Sequence, residues 1–200
     1  VLLKDLPTGF GFLAPTLGDY QQLYLGLAIP ADLSNSPEGR NLVSRQAREL
    51  GGNLVAINSA LEQRVISDNL VALAALPKEH NNYQPLRNYF IGLSTGFSDI
   101  LGWFWDTGKE LISDRDYSNW APGQPDDSFG GQDTAVLWGV NTIAPGIFEP
   151  RTGTDLFQWD DVGDANIRRG DVTFALAEIP LKAWNGSLYA VVECNSLENA

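Results

Sequence analysis

Apolar and polar positions follow two different periods along this chain. From Leu42 onward Val43, Ala47 and Leu50 recur at i, i+4 and i+7, which puts them on one face of a helix, and the run stops at Gly51-Gly52. A second helical run follows. Ser59 and Glu62 stand three apart as in a capping box, Val65, Ile66, Asn69, Leu70 and Leu73 continue the period, and Pro77 stops it. Between the two helices "NLVAI" (Asn53 to Ile57) is short and apolar, a buried strand. Beyond Tyr89 the chain reads as short strands and long loops. "NYFIGLS", "GWFWDTGKEL", "TAVLWGV", "FQWDDV", "VTFALAEI" and "LYAVVE" are strand candidates, and Trp103 and Trp105 share one strand face before a turn at Gly108. "NTIAPGIFEPRTGTD" separates two of them as a Pro/Gly-rich loop. Before the helices lie one strand, "YQQLYLGLAI" from Tyr20, and a loop, "DLSNSPEGRN". Two early helices and many late strands predict an α+β class with a mainly antiparallel sheet.

Composition narrows the picture. Two hundred residues with 44% hydrophobic content suffice for one sizeable domain. The net charge of -12 opposes binding to a phosphate backbone, so nucleic acid is excluded as a partner. The longest apolar run, Leu70 to Leu76, is far too short to span a bilayer. The single cysteine, Cys194, excludes an internal disulfide and a multi-thiolate zinc site, and the single histidine, His80, reads as a surface-loop residue, which removes histidine-based triads. No nucleophile elbow, Walker loop or dinucleotide fingerprint is present.

The chemistry concentrates in "SNWAPGQPDDSFGGQDTAVLW", Ser118 to Trp138. Pro122 and Pro125 lack a backbone donor, and Gly123, Gly130 and Gly131 favour turns, so this is a structured loop. It offers Gln124, Asp126, Asp127, Gln132 and Asp133, short oxygen-bearing side chains of the kind a hard cation takes. The bland alternative is an ordinary turn, since aspartate after proline hydrogen-bonds its own backbone.

Several motifs in one order carry a resemblance. "ARELGGNLVAINSALEQRVI" (Ala47 to Ile66), "FIGL" (Phe90 to Leu93), "GWFWDTG" (Gly102 to Gly108), "YSNWAPGQPDD" (Tyr117 to Asp127), Gln132-Asp133 and "FQWDDV" (Phe157 to Val162) resemble a C-type lectin domain. The resemblance covers about 20–193 and leaves 1–19 as an N-terminal extension and 194–200 as a tail. The family's disulfide cysteines are missing, and Thr134 stands where a cysteine often follows the acidic pair, which is similar to bacterial members.

The resemblance implies a two-helix fold with a mixed, mainly antiparallel sheet and a long loop region that binds calcium and, through it, sugar hydroxyls. It implies calcium ligands at Gln124, Asp126, Gln132, Asp160 and Asp161, and an auxiliary calcium at Asp127 and Asp133. Gln124-Pro125-Asp126 matches the element that in animal lectins goes with galactose-type sugars, Gln132 stands where a glutamate is usual, and Asp160-Asp161 stand where Trp-Asn-Asp is usual. Sugar contacts fall to Gln124, Asp126 and Asp160, with Phe129 stacking on a galactose-like ring. Replacing a glutamate by Gln132 moves calcium affinity toward the extracellular range of roughly 10⁻⁴ to 10⁻³ M.

The expected function is therefore a secreted, calcium-dependent carbohydrate-binding module for galactose-type glycans or cell-surface glycoconjugates. The alternative is a protein- or surface-binding adhesion module of the same fold, with calcium structural or absent, favoured by Gln132 and by the long insert at Asn141 to Asp155. A glycoside hydrolase using two of the aspartates is set aside, because no motif puts an acid in an apolar pocket, and the chain reads as a non-enzyme. Trp103, Trp105, Trp120 and Trp159 read as core. Of the two candidate closing strands "LYAVVE" is preferred, which makes "IRRGDVTFALAEIPLKAW" an insertion.

Overall fold

The computed structural model describes residues 2–6, 9–13, 21–30, 32–33, 37–74, 88–95, 102–112, 114–127, 130–144, 147–150, 157–163 and 172–181. The helices are α1 (Pro37–Glu49) and α2 (Ala60–Ala74). The strands are β1 (Leu2–Leu6), β2 (Gly9–Leu13), β3 (Gln21–Ala28), β4 (Asn53–Leu54), β5 (Asn88–Ser94), β6 (Trp103–Trp105), β7 (Glu110–Leu111), β8 (Thr134–Leu137), β9 (Val140–Ala144), β10 (Ile147–Pro150), β11 (Trp159–Val162) and β12 (Val172–Leu181).

Helix α1 starts before Leu42, the point where its apolar period becomes visible. Pro37 is preorganised for a first helical position and Glu38 faces the positive end of the helix dipole, so "PEGRN" is helical and not loop. The C-terminus closes as a Schellman motif. Gly51, at φ 86°, donates its N–H to the Arg48 carbonyl, and Gly52 donates to that of Ala47. In α2 the Glu62 N–H bonds the Ser59 hydroxyl at 3.1 Å, as the capping box predicts, while the Glu62 carboxylate reaches one residue further back, to the Asn58 N–H at 2.8 Å.

The strands form a mixed sheet in which β12 is central. It runs antiparallel to β3 along one edge, and along the other it pairs antiparallel with β4 and parallel with β5. From β3 the sheet extends through β2 to β1; from β5 it extends to β6 and β7, and to β8 and β11. Side chains alternate across it. Phe174 and Leu176 of β12 join Tyr24, Tyr89 and Ile91 in a core covered by Ile66, Leu70 and Leu73 of α2. Ala175, Ala177 and Ile179 face the other way, onto Val43 and Ala47 of α1.

Three further expectations are corrected. The strand that closes the sheet is Val172–Leu181, containing "TFALAEI", so this segment is no insertion; "LYAVVE" lies outside the described residues. Both segments have alternating apolar positions in sequence, so alternation alone does not identify the closing strand; the register of Val172–Leu181 with β3 and β5 does. The residues set apart as an N-terminal extension contribute β1 and β2, which continue the sheet beyond β3. Finally, the segment read as a loop from Asn141 contains an antiparallel hairpin, β9 with β10, in which Phe148 pairs with Thr142 and Glu149 with Asn141. Its signal was Pro145-Gly146 set between β-branched and aromatic residues.

Candidate functional site

The loop is held from below by aromatic packing. Trp159, at the start of β11, is fully buried; the rings of Trp105, Trp120 and Tyr117 meet it edge-on, at centroid distances of 5.6, 5.6 and 6.0 Å. Trp103 packs on Trp120 at 4.9 Å. The tryptophans thus serve the core, as expected for rings that bury large areas in a chain without disulfides. The Trp159 indole N–H donates to Gln63 of α2 at 2.8 Å, and the Gln63 amide donates to the Phe157 carbonyl at 3.2 Å. One helix residue therefore fixes the entry of β11.

The loop backbone runs beside β11. Trp159 N–H bonds the Asn119 carbonyl and Ala121 N–H bonds the Trp159 carbonyl, each at 2.8 Å. After Gly123, at φ 88°, and a cis Gln124–Pro125 bond, the chain delivers two amides to a single side chain. Asp161 Oδ1 accepts from the Asp126 N–H at 3.1 Å and Oδ2 from the Asp127 N–H at 2.8 Å. Gln124 Oε1 also accepts from the Asp126 N–H, at 3.1 Å. The return half of the loop reaches the same residue: Gln132 donates its side-chain amide to the Asp161 carbonyl at 2.6 Å, and its own N–H bonds Asp127 Oδ1 at 2.9 Å. Beyond β11 a Cβ at Gly163 would sit 2.1 Å from the Gly131 carbonyl, so only glycine admits so close a return.

The structure thus brings Gln124, Asp126, Asp127, Gln132 and Asp161 together. Asp160 is their neighbour in sequence, but strand alternation sends it to the side of Val162, away from Asp161 and Trp159. Asp133 accepts a bond from the Thr134 hydroxyl at 3.2 Å. Phe129 lies outside the described residues. Sequence reasoning put Gln63 on the helix without a role and did not single out Gly163. The signal for Gln63 was a polar residue on an apolar helix face, four before Ser67, whose hydroxyl accepts from it at 3.1 Å.

Two features of the site are electrostatically incomplete. Asp161 is 0% exposed, and no ion pair among the described residues reaches it; its charge is met by the two loop amides. Gln132 Oε1 is buried with no hydrogen-bond partner. An added cation would satisfy both. Among the described residues no three acidic, histidine or cysteine side chains gather closely enough to hold a metal, so amide, backbone or water oxygens would have to complete its shell.

Two helices flanking a mixed sheet, with a long loop tied to a Trp-Asp-Asp strand, make the fold C-type lectin-like. No family model matches the chain, and no curated protein does. Among solved structures it is similar to the mouse scavenger receptor C-type lectin carbohydrate-recognition domain, at 21% identity and a TM-score of 0.51, over 89% of this chain and 98% of that one. It also aligns with herring type II antifreeze protein, at 17% identity and a TM-score of 0.48, over 88% of this chain and 100% of that one. Among the described residues no helix is long and apolar enough to cross a membrane.

Proposed function

We propose that this protein is a calcium-dependent carbohydrate-binding module whose ligand surface is the Gln124 to Gln132 loop. The observation that carries the reading is the buried, unpartnered Gln132 Oε1 beside Asp161, a buried carboxylate with no basic partner among the described residues. A hard cation joins the two. Gln132 and Asp161 are its inner ligands, and Gln124 and Asp126 its outer ones and the groups offered to sugar hydroxyls, while Asp160, on the opposite strand face, stands outside this set. Gln124-Pro125-Asp126 leans the preference to galactose-type sugars, and Phe129 is the candidate ring platform. Asp127 and Asp133 are the candidate auxiliary ligands. The fold shared with a carbohydrate-recognition domain is consistent with this assignment. With few acidic ligands the affinity falls in the extracellular range, which fits a secreted or cell-surface setting. A hydrolytic role is disfavoured because both Asp161 oxygens already accept backbone bonds, which makes the group a fixed acceptor and not a nucleophile.

The test is thermal unfolding with about 10 mM calcium and with chelator, in wild type and in Gln132→Leu. For a Kd near 10⁻⁴ M the stabilisation is about 2.7 kcal/mol, or roughly 5–11 °C for a chain of this size. The variant should lose that rise, and galactose should then bind the calcium-loaded wild type more tightly than mannose does. The second reading is a protein-binding module without functional calcium. It is favoured by Gln132 in place of an acid, and an unchanged melting temperature in calcium would count against the first reading.

A further inference from the structure

Away from the loop, two carboxylates and a phenol meet where α2 begins. Tyr24 and Glu178 are direct cross-strand partners in β3 and β12, and the Tyr24 hydroxyl donates to Glu62 Oε1 at 2.8 Å. Glu62 Oε2 accepts the Asn58 N–H, and Glu178 Oε1 accepts the Ala56 N–H at 3.3 Å. Two acids therefore hold the connection between β4 and α2. Phe12 of β2 stacks on Tyr24 at 5.2 Å, and β4 presents Asn53 opposite Glu178. No ion pair among the described residues reaches either acid. Two carboxylates facing a shared apolar core without a cation cannot both ionise cheaply.

We propose that Glu62 and Glu178 share a proton in the folded protein and form, with Tyr24, an acid-favoured lock on residues 56–58 and the first turn of α2. Gln63, next in that turn, holds Trp159 and the Phe157 carbonyl, so the lock sits in the helix turn that clamps β11. Burial, and next the charge of Glu62, push Glu178 up to about 8 against the Ala56 bond; burial likewise raises Glu62 against its bonds from Asn58 and Tyr24. Burial and then the Glu62 charge also raise the Tyr24 phenol, which stays a donor. A raised acid fixes the sign of the linkage. From the ordinary 4.5 up to about 8 the folded state keeps a proton that the unfolded chain has released. The stabilisation is complete below the lower value and is lost as pH rises through the upper one.

The experiment is urea unfolding from about pH 5 to about pH 9 in wild type and in Glu178→Gln, which mimics the protonated acid. In wild type the unfolding constant should rise by up to about tenfold per pH unit, the slope of one linked proton. The variant should remove that slope, which separates the pair from His80 and the terminal amine. A wild-type profile that is flat or rises in stability with pH, or a variant that keeps the full slope, overturns the proposal. Should the variant fail to fold, carbon-13 NMR of the wild-type glutamate carboxyls decides. One resonance titrating above about pH 6 supports the shared proton, and none above it overturns it.

Discussion

Replacing Asp161 by asparagine tests whether this residue organises the loop. The side chain keeps its shape, but one carboxylate oxygen becomes an NH2 that meets a backbone N–H, donor against donor. The better orientation leaves the carbonyl oxygen on Asp127 N–H, the shorter bond at 2.8 Å, and leaves the Asp126 N–H to Gln124 Oε1 at 3.1 Å. The change loses one hydrogen bond to a charged acceptor, about 1.5–3 kcal/mol, and removes the cost of burying an unpaired carboxylate, which offsets part of it. The net loss is about 2 kcal/mol, or roughly 4–8 °C in melting temperature for a chain of this length. The assay is urea unfolding followed by tryptophan fluorescence in chelator, so that a cation contributes nothing, and it includes Gln124→Ala in both backgrounds. Because Gln124 then carries the Asp126 bond that Asp161 shared, its removal should cost about 0.5–1.5 kcal/mol more in the asparagine variant than in wild type. A loss below about 0.5 kcal/mol in Asp161→Asn, or additivity in the cycle, would refute the anchoring role.

Three further outcomes follow from the packing. Gln63→Leu strands the Trp159 indole N–H and should cost about 1–3 kcal/mol, read as a lower urea midpoint with unchanged m-value. Arg40→Ala removes the partner of Asp106, a pair 11% and 8% exposed at 2.9 Å, and leaves that carboxylate with the Ser44 hydroxyl; a loss of about 2–4 kcal/mol is expected, largely recovered in Arg40→Met with Asp106→Leu. Gly51→Val meets no atom within 4 Å but must adopt φ 86°, so its cost, about 1–3 kcal/mol, is conformational, and Gly51→Asn should cost less.

What was legible in the sequence was whatever repeats locally. Both helices, the capping residues of α2 and the glycine stop of α1 were visible because periodicity and end chemistry are short-range signals. So were β5, β6, β8 and β11. Sheet order was not legible, because β-pairing is decided by partners far apart in the chain. "TFALAEI" and "LYAVVE" have comparable alternation in sequence, which does not reveal the eight-residue register of β12 with β3, from Phe174↔Ala28 to Leu181↔Gln21. The same limit hid β1 and β2, and in β2 the glycines at positions 9 and 11 also weaken the strand signal.

For the site, the sequence supplied the oxygens and the structure supplied their order. Asp161 entered as one ligand among five; folded, it is the residue on which both halves of the loop converge, through its carboxylate and its carbonyl. Anchoring and cation binding are compatible on one side chain. A carboxylate accepts at about four lone-pair positions, and the loop amides occupy two. The Gln132 amide, held by its nitrogen against the Asp161 carbonyl, has its oxygen already oriented. A loop organised in this way before any ligand arrives spends little binding free energy on ordering. That is why a calcium site with few acids, or a protein-binding surface with none, can be built on the same Asp161 frame, and why a calcium response present in the wild type and lost in Gln132→Leu separates the two.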